Sequence, residues 1–151
     1  MSYKVTIEDI PVLNLAGLKT RVNIANAKEQ CSALWKEFMD RREELKEIVE
    51  DSLYGISTNM TENGNFDYWA VVAVTPESTI SPGMVYMTLP ARKYAKCVSP
   101  LNDISKTFEF IYGEWAKTEK NFSVDFKASR FERYPKAFQG TDKVELFVPL
   151  S

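Results

Sequence analysis

The sequence predicts an α+β fold in which two β-α-β-β units form one antiparallel-rich sheet, with two helices packed on one face of the sheet. The order of strands and helices along 3–75 is repeated along 84–150, and each stretch contains one run of apolar residues at helical spacing. Residues 15–19 also resemble residues 89–93. Because 151 residues, 44% of them hydrophobic, suffice to bury one core, residues 1–151 are expected to form a single domain. The seam between the two units is a natural place for a ligand cleft.

The first unit is predicted to contain four strands and one helix. They are strands at 3–7 and 12–22, a helix at about 27–49, and strands at 53–58 and 67–75. Gly17 lies inside the second strand, which indicates a bulge or a close approach of another backbone segment. Asn26 is suited to cap the helix, because its side-chain oxygen can accept a hydrogen bond from a free N–H of the first turn.

The second unit repeats this order. It is predicted to contain strands at 84–88 and 91–98, a helix that ends at about residue 118, and strands at about 129–134 and 143–150. Ser99 is the expected N-cap of the helix and Pro100 its first residue, where a missing N–H costs nothing.

The composition argues against several classes of function. The net charge is −2, whereas binding to nucleic acid requires clustered lysines and arginines, so direct nucleic-acid binding is not expected. The chain has no histidine, which removes Ser-His-Asp and Cys-His catalysis and most zinc-ligand sets. It also lacks the glycine-rich motifs that cradle phosphates. We therefore expect no metal or cofactor, and any chemistry must come from carboxylates, tyrosines, lysines or hydroxyl groups.

The chain is expected to be a cytoplasmic protein. No run of about eighteen apolar residues is present that could cross a membrane, and the first ten residues include acids where a signal peptide would be apolar. Cys31 and Cys97 each fall within an apolar pattern, which favours buried free thiols in a reducing compartment.

Glu145 is the candidate that the residue pattern alone selects. In the last predicted strand Val144, Leu146 and Val148 alternate with Glu145 and Phe147, so the apolar trio is expected to face the helices. Glu145 then points to the opposite face at the centre of the sheet. Partial burial there is expected to raise its pKa and to make it an attractor for a cation. The alternative is a glutamate on a solvent-facing sheet surface.

Seven short segments are spread in order over nearly the whole chain. They are 15–18 (LAGL), 34–38 (LWKEF), 54–57 (YGIS), 94–95 (YA), 111–115 (IYGEW), 131–134 (FERY) and 144–149 (VELFVP). In this order and spacing they resemble the GyrI-like family, which also occurs as the effector-binding domain of bacterial transcription activators. Each segment is degenerate alone, and their combination is much more specific.

The resemblance implies a binding module for amphipathic, often cationic, organic compounds in a cleft between the two units. Some members of the family are fused to helix-turn-helix activators, some modulate DNA gyrase, and some resemble hydrolases of strained or electrophilic small molecules. Since nothing precedes the domain in this sequence, the single-domain version is expected.

The resemblance also brings Glu132 and Tyr134 into consideration, as residues that flank a ligand. The alternative for Glu132 is an ordinary cross-strand ion pair. Aromatic rings beside a carboxylate suit a flat organic cation. The candidate aromatic residues of the pocket are Trp35, Phe38, Tyr54, Trp69, Tyr94, Tyr112, Trp115, Tyr134 and Phe147.

Three functions remain open from the sequence. The first is the binding of amphipathic, cationic aromatic molecules by Glu145 and Glu132. The second is a small-molecule hydrolase in which Glu145 acts as general base and Tyr112 steadies the leaving group. The third is a regulator that binds a protein partner, such as a transcription regulator or DNA gyrase.

Overall fold

The computed structural model describes residues 3–76, 78–135 and 143–151, and in it eight antiparallel strands form one curled sheet. The strands are β1 (Val5–Ile10), β2 (Leu13–Asn23), β3 (Ile48–Thr58), β4 (Asn65–Val74), β5 (Val85–Leu89), β6 (Arg92–Pro100), β7 (Arg130–Tyr134) and β8 (Lys143–Pro149). The helices are α1 (Ala27–Arg41), α2 (Ile104–Glu109), a π-helical segment (Phe110–Trp115) and α3 (Ala116–Thr118). Short 3-10 turns at Arg42–Glu44 and Leu101–Asp103 follow α1 and precede α2. The predicted α+β class is confirmed.

The order of the strands in the sheet is β1-β6-β8-β7-β3-β4-β2-β5. β3 and β7 therefore pair at the centre. The edge strand β1 belongs to the first half of the sequence but pairs with β6 of the second half, and the edge strand β5 belongs to the second half but pairs with β2 of the first. Ile56 lies opposite both Trp69 and Phe131, and Phe131 lies opposite Phe147. This register relates the two halves by an approximate two-fold axis between Ile56 and Phe131. We call the β3–β7 junction the seam.

Both helices pack on one face of the sheet. Leu34 and Phe38 of α1 belong to a cluster of buried residues on the first half, which includes Tyr68 of β4. Phe108 and Ile111 pack with Val144, Leu146 and Val148 of β8, so the alternation in the last strand was predicted with the correct side toward the helices. The opposite face buries a third cluster that includes Tyr54, Tyr94, Phe131 and Phe147.

The helices differ from their predicted bounds. Helix α1 ends at Arg41 and not at about residue 49, and Ile48 already belongs to β3. Nε of Arg41 lies 2.8 Å from the carboxylate of Glu44, across the 3-10 turn that follows the helix. Leu45 is still buried, so a helical stripe that ends in apolar residues does not reveal where the helix stops. Ser99 and Pro100 lie in β6 opposite Val144 and Lys143, and the 3-10 turn before α2 starts only after them. The pairing with β8 outweighs the capping preference of these two residues.

None of the helices in the described ranges is long and apolar enough to cross a membrane.

Gly17 brings α1 close to the sheet. A Cβ atom on Gly17 would lie 2.1 Å from the carbonyl oxygen of Ala70 and 2.9 Å from Cε1 of Phe38. The predicted close approach is therefore present, and it allows the Phe38 ring to rest directly on the backbone of β2 and β4.

We expect Gly17→Ala to lower the free energy of unfolding by about 1–3 kcal/mol, because backbone atoms and a fully buried ring must move to admit the methyl group. Gly113→Ala is the matched control, since a Cβ atom there has no neighbour within 4 Å. Urea unfolding of both variants measures the difference. An equal effect of the two substitutions would contradict this account of Gly17.

Candidate functional site

The helix-facing side of the seam carries a group of polar and aromatic residues. Glu132 lies directly opposite Gly55 across the seam, and Arg130 lies opposite Ser57. Alternation along β7 places Glu132, Arg130 and Tyr134 on one face of the sheet.

Glu132 is a buried carboxylate, with only 9% of the residue exposed. It accepts a hydrogen bond of 2.5 Å from the hydroxyl of Tyr68 and one of 2.9 Å from the hydroxyl of Tyr134. The indole N–H of Trp35 in turn donates to the Tyr68 oxygen at 2.9 Å. Burial raises the pKa of Glu132, although the two tyrosine hydroxyls and the more distant charge of Arg130 oppose this effect.

Gly55 makes room for this arrangement. A Cβ atom on Gly55 would lie 2.2 Å from the Tyr68 hydroxyl oxygen and 2.6 Å from Oε1 of Glu132. The Glu132 carboxylate and the Tyr68 hydroxyl therefore occupy the space that any other residue of β3 would fill at this register position.

Aromatic rings from α1 and β7 adjoin the carboxylate. Trp35 meets Phe38 edge-on, with ring centroids 6.0 Å apart, and meets Tyr134 in the same way at 5.7 Å. Cys31 lies one turn before Trp35 on α1, and burial together with the charge of Glu132 raises the pKa of its thiol to about 12. The thiol is therefore protonated at neutral pH.

Glu145 lies on the other face of the sheet, as predicted, and it is paired with two cations. Its carboxylate is 2.6 Å from Nε of Arg133 and 3.0 Å from Nζ of Lys96. Burial by itself raises the pKa of Glu145, but the hydrogen bonds and charges of Arg133 and Lys96 outweigh it, and the net pKa is lowered. The expected rise in pKa was wrong, because the alternation within β8 does not reveal which side chains the neighbouring strands place beside Glu145.

The other predicted site residues fall into separate groups. Tyr54, Tyr94 and Phe147 are buried in the cluster on the face that carries Glu145. Trp69 adjoins the same cluster, where its indole N–H donates to Thr58 at 3.0 Å and its ring lies under Lys19.

Tyr112 and Trp115 pack against the core beneath α2, on the helix face. The sheet therefore separates Tyr112 from Glu145, and these two residues do not face a common space.

The structure thus brings three of the predicted residues, Trp35, Phe38 and Tyr134, into one group with the buried carboxylate of Glu132. Sequence reasoning missed Tyr68, which completes the group. Tyr68 could have been found from its place in a strand that is apolar on both faces. Such a strand is buried, and a buried tyrosine hydroxyl requires a hydrogen-bond partner.

Comparison with known proteins assigns the chain to a family. Residues 3–151 match the family described as "GyrI-like small molecule binding domain". The chain belongs to the GyrI-like family. The transcriptional regulator BrlR of Pseudomonas aeruginosa is 32% identical over 130 residues, which cover 78% of this chain and 45% of BrlR. The chain therefore spans less than half of the length of that relative.

Solved structures share the GyrI-like fold over the whole chain. An integron cassette protein from the mobile metagenome of Vibrio cholerae superposes with a TM-score of 0.70 at 18% identity, covering 99% of this chain and 97% of that one. The structure of SAV2435 bound to tetraphenylphosphonium superposes with a TM-score of 0.70 at 16% identity, covering 100% of this chain and 94% of that one. These likenesses establish the fold.

We expect Glu145→Gln to lower the free energy of unfolding at neutral pH by about 1–3 kcal/mol, because it leaves Arg133 half-buried beside a neutral amide. A carboxylate with a lowered pKa in the folded state stabilises the protein above its unfolded-state pKa, and this contribution is lost as the pH falls through the folded-state value. The difference between wild type and variant should therefore shrink in acid. Denaturant unfolding at several pH values measures it, with the exposed Glu109→Gln as control. A difference that persists undiminished in acid would contradict the ion-pair explanation.

Proposed function

We propose that this GyrI-like domain binds amphipathic organic cations with aromatic rings at the seam, with Glu132 as their counter-ion. The observation that carries the proposal is the buried carboxylate of Glu132, which is bonded to Tyr134 directly and to Trp35 through the Tyr68 hydroxyl. Its two closest hydrogen-bond donors, Tyr68 and Tyr134, are neutral hydroxyl groups.

The electrostatics of Glu132 favour a cationic ligand. A buried carboxylate that has only neutral hydrogen-bond donors is costly to ionise, and a cation that comes to lie beside it offsets this cost. Glu145 differs in this respect, because Arg133 and Lys96 already neutralise it. Of the two glutamates, Glu132 is therefore the one that gains from an added positive charge.

The rings add the second component of the affinity. The face of an indole or phenol ring attracts a cation by about 0.5–2 kcal/mol, and more where water is excluded. Trp35 and Tyr134 are only partly buried and lie beside Glu132, so they are the rings that an incoming ligand would contact first. Because Glu132 itself is nearly inaccessible, binding requires these rings to shift. SAV2435, which shares the fold, has been solved with the aromatic cation tetraphenylphosphonium, and this is consistent with a similar ligand class here.

We expect tetraphenylphosphonium to bind wild type and to raise its melting temperature by mass action. Glu132→Gln keeps the shape and an acceptor for a tyrosine hydroxyl but removes the charge, so it should weaken binding by about tenfold or more. Isothermal titration calorimetry measures the affinities, and the neutral triphenylphosphine oxide should bind both proteins equally weakly.

Glu145→Gln and Glu114→Gln are the matched controls for this experiment. The former removes the paired glutamate on the other face and the latter removes an exposed glutamate of the π-helical segment. Both should retain the affinity for tetraphenylphosphonium. Undiminished binding by Glu132→Gln, or a loss confined to Glu145→Gln, would refute the role given to Glu132.

The raised pKa of Glu132 leads us to expect that both stability and ligand affinity depend on pH. Because its folded-state pKa lies above the unfolded value, the protonated carboxyl stabilises the fold at low pH, and this stability is lost as the pH rises through the folded-state pKa. Glu132→Gln lacks this loss, so the stability of the variant relative to that of wild type should increase as the pH rises. Over the same range wild type should bind tetraphenylphosphonium more tightly, because the ionised carboxylate is the binding form. Thermal unfolding and calorimetry over a pH series that begins at about pH 4, near the unfolded-state pKa of a glutamate, measure both effects, and parallel stability curves for the two proteins would contradict the prediction.

A further inference from the structure

A cavity of about 390 Å³ opens on the helix face, beside the end of β3 and the π-helical segment. Ser57 and Arg130, the seam pair next to Gly55 and Glu132, line it, whereas Glu132 and its aromatic neighbours do not. The lining residues are Ser57, Thr58, Asn59, Met60, Tyr112, Phe126, Lys127, Ala128 and Arg130.

The lining of this cavity is basic. Arg130 and Lys127 contribute positive charge, and none of the described residues that line the cavity is an aspartate or a glutamate. The nearby carboxylate of Asp125 is already engaged, since it accepts hydrogen bonds from Arg92 at 3.2 Å and from the backbone N–H of Lys127 at 3.0 Å. A ligand that enters the cavity therefore meets a net positive wall.

Arg130 is held in a way that suits a planar acceptor. Its guanidinium group lies 4.1 Å from the ring centroid of Phe108 and 5.5 Å from that of Tyr112. Stacking occupies the flat face of a guanidinium group, while its N–H donors point outward in the plane and match a carboxylate or a sulfonate. Burial raises the pKa of Tyr112, although Arg130 opposes this, so its hydroxyl stays protonated and can donate to an anion.

The mouth of the cavity exposes apolar groups. Phe126 is 69% exposed and Met60 is 50% exposed, although both are large hydrophobic residues. The ring of Phe126 lies 5.7 Å from that of Tyr112 at an angle of 41°. An aromatic plane that reaches Arg130 would cover Phe126 and Met60 and remove their apolar surface from water.

The backbone around the cavity departs from regular structure in two places. Tyr112 belongs to the π-helical segment, and such segments occur frequently at functional sites. Asn59 on the opposite wall adopts a left-handed conformation with φ of 54°. Both irregularities fall on residues that line the cavity.

We propose that this cavity is a second binding site, which takes planar aromatic anions such as aryl carboxylates or sulfonates. The guanidinium group of Arg130 binds the acidic group, the hydroxyl of Tyr112 donates to it, and the ring of Phe126 stacks on the aromatic plane. The proposal does not depend on cation binding at Glu132, and the two sites recognise ligands of opposite charge.

The test uses 2-naphthoate as probe and its neutral amide, 2-naphthamide, as the matched ligand. Wild type should bind 2-naphthoate, measured by calorimetry or by naphthalene fluorescence, at least about tenfold more tightly than 2-naphthamide. Arg130→Gln should abolish this preference, and Phe126→Ala should weaken the binding of both compounds. Lys117→Gln is the charge-matched control, since Lys117 is exposed and lies outside the cavity lining, and it should retain wild-type affinity.

Phe126→Ala and Glu132→Gln keep the outcome decisive. Phe126 is exposed, so Phe126→Ala tests the site even if Arg130→Gln unfolds. Glu132→Gln should not lower the affinity for 2-naphthoate, whereas it should lower that for tetraphenylphosphonium, which separates the failure of one proposal from that of the other. Equal binding of 2-naphthoate and 2-naphthamide by wild type, or unchanged 2-naphthoate binding by both Arg130→Gln and Phe126→Ala, would overturn the second site.

Discussion

The pairing of β3 with β7 is the constraint on which the rest of the structure depends. Five residue pairs, from Leu53 opposite Tyr134 to Ser57 opposite Arg130, join the two halves of the sheet at this seam. Without them each half would leave a central strand edge unpaired, and unpaired backbone groups are costly to bury. The seam also determines the composition of the site, because Glu132 comes from the second half and its partner Tyr68 comes from the first.

The approximate two-fold axis at Ile56 and Phe131 makes Gly55 equivalent to Arg130, and Ser57 equivalent to Glu132. The fold is therefore symmetric at the seam, but its charges are not. The space left by Gly55 on one side admits the Glu132 carboxylate, while the equivalent position on the other side carries a guanidinium group. One architecture thus presents an acidic environment beneath α1 and a basic environment beneath α2, each next to aromatic rings of its own helix.

Differences between prediction and structure arise where local patterns meet long-range pairing. The apolar residues at Leu45, Ile48 and Val49 fit a helical stripe, yet Ile48 is needed opposite Val74 to begin β3. Ser99 and Pro100 have the chemistry of a helix start, but they extend β6 along β8. In both places the local pattern is compatible with a helix and with a strand. Pairing with a strand that is remote in sequence selects the strand.

The sequence by itself determined the α+β class, the order of the elements and the side of β8 that faces the helices. These features follow from local periodicity and composition, which a single chain displays directly. Only the tertiary structure determined which residues surround the two glutamates. Arg133 and Lys96 come to lie beside Glu145 through strand register, and Tyr68 and Gly55 come to lie beside Glu132 in the same way. The environment of a carboxylate depends on its neighbours across the sheet, and those neighbours are set by the pairing of strands remote in sequence.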